Sequence, residues 1–156
     1  DLHNNRHSFP TRRSSDLEFP LETGAETVSV SVLSVGNPQC VVFREYLPDS
    51  AEQERLGRAL ENHPSFPERT NVSFVKILSP EHIRIKIWER GVGITSSSGT
   101  GSCGAAIASI RSGKTGTRVA VETDTGTQQV EWSRDSEIRL TGNVSYVARI
   151  EFRFPE

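Results

Sequence analysis

A chain of 156 residues, 34% hydrophobic and 24% charged, can build one domain with a real core but not two large ones. Its formal net charge of -2 gives no pull toward nucleic acid or a membrane surface, and no apolar run approaches the roughly 20 residues of a spanning helix. Cys40 and Cys103 are too few for a disulfide framework, which makes a reducing cytoplasm the default compartment. There is no Met, position 1 included, so the expectation is a chain that is not a complete translation product.

Residues 1–17 (DLHNNRHSFPTRRSSDL) carry three arginines and two aspartates without helical or strand period. They read as a disordered or non-native leader, and a basic nucleic-acid arm is the weaker alternative. His3 and His7 sit four apart but lack a second ligand pair, so no metal site is assigned. The domain proper is expected over residues 18–156. Residues 27–35 (TVSVSVLSV) alternate as a half-buried strand does, and Gly36-Asn37-Pro38 breaks them. Residues 39–43 read as a short strand with Cys40 in its core. Leu56, Ala59 and Leu60 recur at helical spacing after Pro48-Asp49, predicting a helix over 50–62 capped by Asp49 or Ser50.

His63-Pro64 ends that helix, and residues 66–71 form a turn. Strands are expected at 72–78 and 82–88, the latter burying Ile83, Ile85 and Ile87 on one face. The next stretch, ERGVGITSSSGTGSC (89–103), is a Gly/Ser/Thr loop. It leads into GAAIASIR (104–111), a helix of small and apolar residues with Gly113 as its C-cap. Strands at 118–123, 127–132, 137–141 and 144–152 follow, separated by turns at 124–126, 134–135 and 142–143. A helix apolar nearly all round must be wrapped. The expected class is therefore α+β: about eight strands in a curved, barrel-like mixed or antiparallel sheet around a central helix, with the glycine loop at its mouth. Such a loop gathers backbone N–H groups at the positive end of a helix. With Glu89 and Arg90 beside it, it suits a small anionic substrate.

Four ordered stretches carry a resemblance: SVGNPQCV at 34–41, FPERTNV at 66–72, WERGVG at 88–93 and SGTGSC at 98–103. Together they resemble the C-terminal half of the diaminopimelate epimerase family, over roughly residues 28–154. The resemblance implies one of two similar halves, each a barrel-like sheet around a central helix, with substrate in the cleft between them. It implies a cofactor-independent isomerase, using neither metal nor pyridoxal phosphate, that interconverts LL- and meso-diaminopimelate in lysine and peptidoglycan biosynthesis. In that chemistry one cysteine per half acts across the α-carbon, one removing the proton and the other returning it. The partners it implies are a small amino-acid substrate and the missing N-terminal half of the same protein, with a homodimer also open to it.

Carried over by motif, Asn37, Asn71, Glu89 and Arg90 would bind substrate, and Gly99 and Thr100 would give backbone N–H groups to its α-carboxylate. The catalytic cysteine belongs at position 98, where this chain has Ser98, so Ser98 and Glu89 become the catalytic candidates. A serine hydroxyl is far less acidic than a thiol, whose ordinary pKa is about 8.5, and needs another group to activate it. Gln39 stands at a tuning position where the family usually has histidine, and Ile94 where it usually has glutamate. These departures keep three alternatives open: a superfamily dehydratase or other isomerase, a non-catalytic small-anion-binding domain, and a fragment inactive on its own.

Overall fold

The computed structural model describes residues 18–133 and 136–154. The leader expected at 1–17 and the turn expected at 134–135 lie outside the described residues. In chain order the elements are β1 (Phe19–Glu22), β2 (Thr27–Ser34), β3 (Pro38–Phe43), α1 (Ser50–Glu61), β4 (Asn71–Ser79), β5 (His82–Glu89), β6 (Gly93–Thr95), α2 (Gly99–Arg111), β7 (Arg118–Thr123), β8 (Gly126–Glu131) and β9 (Arg139–Thr141).

The strands form one mixed sheet of nine, in the order β1-β2-β3-β4-β5-β7-β8-β9, with β6 a short branch on β5. Two pairs are parallel, β3 with β4 and β5 with β7, and the rest are antiparallel. A parallel pair needs a crossover connection. Helix α1 makes the first crossover and α2 lies in the second. The two helices cover opposite faces of the sheet, because side chains alternate along each strand. Cys40 and Val42 of β3, Val72 and Phe74 of β4 and Trp88 of β5 join Leu56 and Leu60 of α1 in one core. Val41, Val75, Ile83, Ile85 and Ile87 join Ala105, Ala106 and Ala108 of α2 in the other. Full burial of each of those Val and Ile side chains is worth about 1.5–3 kcal/mol.

The curved sheet expected around α2 is present: the helix touches β2, β3, β4, β5, β7 and β8. Small residues allow that enclosure. A Cβ added at Gly104 would meet Gln39 Cγ at 2.9 Å, so the helix rides directly over the β3 side chain. The helix ends in a Schellman motif in which Lys114 N–H reaches Ser109 O at 2.9 Å and Gly113 N–H reaches Ile110 O at 3.0 Å. Helix α1 is amphipathic and is capped by Asp49, as expected. It lies so close to the sheet that a Cβ at Gly57 would meet Trp88 Cγ at 2.5 Å.

Three expectations need correction. The strand expected over 144–152 is not one: Val144, Tyr146, Val147, Ile150 and Phe152 are all more than 70% exposed, and the segment joins no ladder among the described residues. An alternating pattern becomes a strand only when another strand accepts its backbone. Conversely, β1 and β6 were not expected. Pro20 and the glycines around Ile94 hide them, yet an edge strand tolerates proline and a short return strand tolerates glycine. The loop before α2 is also shorter than expected, since the helix already begins at Gly99. None of the helices among the described residues is long and apolar enough to cross a membrane.

Candidate active site

Parallel β3 and β4 begin at the same edge of the sheet, with Gln39 opposite Asn71. Antiparallel β5 ends there, at Glu89. Helix α2 begins over the same edge, which brings together Asn37, Gln39, Asn71, Glu89, Arg90, Ser98, Gly99 and Thr100. Ser98 is the N-cap of α2, with extended backbone (φ -155, ψ 127). Its Oγ accepts from Gly101 N–H at 3.3 Å and donates to Glu89 Oε1 at 3.3 Å. Ser98 and Glu89 are both half-buried. The hydroxyl therefore links the positive end of a helix to a carboxylate. A helix cap and a hydroxyl–carboxylate pair coexist in one side chain.

A second set adjoins it. Asn37 Nδ2 donates to Thr100 Oγ1 at 3.5 Å, and Asn37 Oδ1 accepts from Gln39 Nε2 at 2.9 Å. Gln39 is fully buried beneath α2, and its Oε1 has no partner among the described residues. The amide fills the place beside Gly104 without contributing the titrating group that a histidine would. Within the first turn of α2, Ser102 N–H makes the first intrahelical bond, to Ser98 O at 2.9 Å. The N–H groups of Gly99 and Thr100 precede that bond and are free of intrahelical partners. Leu140 of β9 leans on the same turn, 3.3 Å from where a Cβ on Gly99 would stand.

The third set holds Arg90. Asn71 is buried, its Oδ1 accepting from Arg90 N–H at 2.9 Å and its Nδ2 donating to Pro38 O at 3.3 Å. The Arg90 guanidinium donates through Nη1 to Glu68 O at 2.7 Å and is half-exposed. Its remaining N–H groups can form the fork that binds a carboxylate. Ile94 does not join this site. It pairs with Trp88 while Gly93 pairs with Glu89, so Ile94 shares the α1 side of the sheet rather than that of Ser98.

Of the two thiols, Cys40 lies wholly in the α1 core, and burial pushes its pKa far above the ordinary range. Cys103 is half-buried, not fully enclosed as the small-residue pattern of α2 suggests, and burial raises its thiol as well. Neither has the depressed pKa of a reactive thiolate. One participant escaped the sequence reading: Glu61, which appears in sequence only as a charged residue at the end of a helix, is buried against the Trp88–Gly91 segment.

The family model described as diaminopimelate epimerase matches residues 31–147, a span containing every residue above from Asn37 to Leu140. The chain belongs to the diaminopimelate epimerase family. Among its relatives, the diaminopimelate epimerase of Pelotomaculum thermopropionicum is 39% identical over 135 residues, covering 86% of this chain and 48% of the relative. That of Microcystis aeruginosa is 41% identical over 127 residues, covering 81% and 45%. That of Desulforudis audaxviator is 45% identical over 116 residues, covering 74% and 41%. The chain thus spans about half the length of the diaminopimelate epimerases it matches.

Solved structures show the same fold beyond the close family. Methylitaconate-delta-isomerase superposes with a TM-score of 0.54 at 16% identity, covering 82% of this chain and 47% of that one. A phenazine biosynthesis protein of the PhzF family from Bacillus anthracis superposes at 0.52 and 18%, covering 71% and 37%. At such identities the likeness is one of fold.

Proposed function

We propose that this chain is the C-terminal domain, residues 18–156, of a cofactor-independent isomerase that interconverts LL- and meso-diaminopimelate by two-base proton transfer at the α-carbon. The observation that carries the reading is the Ser98 hydroxyl, suspended between Gly101 N–H and the Glu89 carboxylate at the open end of α2. Membership of the diaminopimelate epimerase family supports it. The N–H groups of Gly99 and Thr100 receive the α-carboxylate, while Asn37, Asn71 and Arg90 receive the other end of the substrate. One base takes the α-proton as the Cα–H bond breaks, and the electron pair spreads into the carboxylate held at the helix start. An acid from the other half of the protein then protonates the opposite face. Nothing is oxidised or reduced.

In this half Ser98 relays the proton and Glu89 is its acceptor, since the hydroxyl already points at that carboxylate. The missing half of the relatives' length closes the cleft and supplies the opposing group. A second reading is favoured by one detail: one of the two lone pairs of the Ser98 hydroxyl is engaged in capping, and Gln39 brings no titrating group. On that reading the domain binds a small carboxylate without turning it over. Incubating the whole protein with LL-diaminopimelate and resolving the stereoisomers separates the two. Meso product that vanishes in Glu89→Gln carries the first, and calorimetric binding without product carries the second.

A further inference from the structure

Glu61 occupies a position that a helix does not favour for a carboxylate. It is the last residue of α1, where the macrodipole presents its negative end. Its side chain is also only 6% exposed. Both costs are offset by partners from two other segments. Oε2 accepts from Trp88 Nε1 at 2.7 Å. Oε1 accepts from Gly91 N–H at 2.9 Å and from Arg69 Nη1 at 3.1 Å. Three of the roughly four acceptor sites of the carboxylate are thereby taken by the protein, and the side chain is buried rather than presented to a ligand.

What those partners have in common is Arg90. Trp88 and Gly91 bracket the Glu89-Arg90 pair, so two of the three hydrogen bonds fix the turn that aims it. Arg69 follows Glu68, whose carbonyl takes the Arg90 guanidinium at 2.7 Å. Arg69 itself has a left-handed backbone, φ 57, the only such non-glycine among the described residues. A residue of its kind holds that conformation only under external constraint. The turn bond from Arg69 N–H to Phe66 O at 2.8 Å and the ion pair to Glu61 both restrain it, one at the backbone and one at the side chain, next to the Glu68 carbonyl. The Arg90 N–H itself is held by Asn71, but the residues that flank the Glu89-Arg90 pair and the residue next to its guanidinium partner all meet on one carboxylate.

We infer that Glu61 is a positioning residue for substrate: it sets the place of the Arg90 guanidinium from two sides without touching the ligand. The inference rests on the proposed role of Arg90 as a carboxylate clamp. It is tested in the whole protein with Glu61→Gln, Arg90→Ala and the double variant, measuring KM and kcat for diaminopimelate. Glutamine keeps the size of Glu61 but turns an N–H toward donors, so the hub loosens while the core stays filled.

The expected result for Glu61→Gln is a KM raised about tenfold, the worth of one charge-assisted hydrogen bond to the substrate, with kcat moved less than about twofold. In the Arg90→Ala background the same substitution then has little further effect on KM. A KM unchanged in Glu61→Gln, or raised by the same factor whether or not Arg90 is present, overturns the inference while leaving the Arg90 clamp intact. An unchanged KM in Arg90→Ala overturns the clamp itself, and the inference with it. Should Glu61→Gln not fold, Arg69→Ala decides. Alanine bears the same left-handed strain but has no ion pair to Glu61, so the Glu68 carbonyl loses that restraint. A raised KM supports the inference and an unchanged one overturns it.

Discussion

The two helix N-termini of this domain use one physical device in opposite ways. At α1 the positive end is answered from within: Asp49 Oδ1 accepts Glu52 N–H at 2.9 Å, and the Glu52 carboxylate lies in the first turn. At α2 the cap is the neutral Ser98, and the first turn holds no acidic residue. The carboxylate that meets the cap is Glu89, at the end of β5, which accepts from the Ser98 hydroxyl rather than from any N–H of the helix. A terminus completed by its own residues serves the fold alone. One left to neighbours and to N–H groups without intrahelical partners retains the capacity to bind an anion.

Removing each cap in turn breaks the comparison most sharply. Asp49→Ala and Ser98→Ala each remove one capping side chain, and each lowers stability by about 1 kcal/mol in urea denaturation. Their effects on catalysis diverge. Proton exchange by the whole protein falls at least about 100-fold in Ser98→Ala and stays within about twofold in Asp49→Ala. Equal losses of activity would mean that α2's end is structural like α1's.

The packing of the helices distinguishes them next. Gly57→Ala forces a methyl into the Trp88 ring and costs about 2–3 kcal/mol by chemical denaturation. Gly104→Ala meets a flexible Gln39 side chain, so it costs less, about 1 kcal/mol, and the Asn37–Gln39 bond loosens with it. A smaller change sharpens the contrast by making α2 resemble α1. Thr100→Asp puts a carboxylate in the first turn of α2. It stabilises the helix by about 0.5 kcal/mol, read as a raised Tm, while carboxylate binding measured by calorimetry weakens.

The smallest effect at neutral pH belongs to Cys40. Its folded pKa is raised, so the unfolded chain loses this proton first as pH increases. The thiol's contribution is therefore complete below the ordinary thiol range, about 8.5, and is lost progressively as pH rises above it. Denaturation midpoints should decline across the alkaline range, and Cys40→Ala should flatten that decline. An equal alkaline slope with and without Cys40 would reassign it to other groups.

Much of this was legible in the sequence where a local signal and the tertiary outcome coincide. The isoleucine alternation of β5, the Asp49 cap and the run of small residues in α2 each announce a single environment. The four motifs likewise marked Asn37, Asn71, Glu89, Arg90 and Ser98, because strand ends and a helix start bring them to one edge of the sheet. The misses are non-local. Residues 144–152 alternate like a strand, but no neighbour completes their ladder among the described residues. Glu61 reads as one more charged residue at a helix end. Only the fold brings Trp88, Gly91 and Arg69 around it.

The central claim is that the Ser98–Glu89 pair moves a proton at the α-carbon, and solvent deuterium uptake tests it most directly. The whole protein, with its native Ser98, is incubated with diaminopimelate in deuterium oxide, alongside Ser98→Cys and Glu89→Gln. The account predicts α-deuterium uptake with stereoinversion by the native protein, retained in Ser98→Cys and abolished in Glu89→Gln. Substrate that binds but acquires no α-deuterium from the native protein would contradict it.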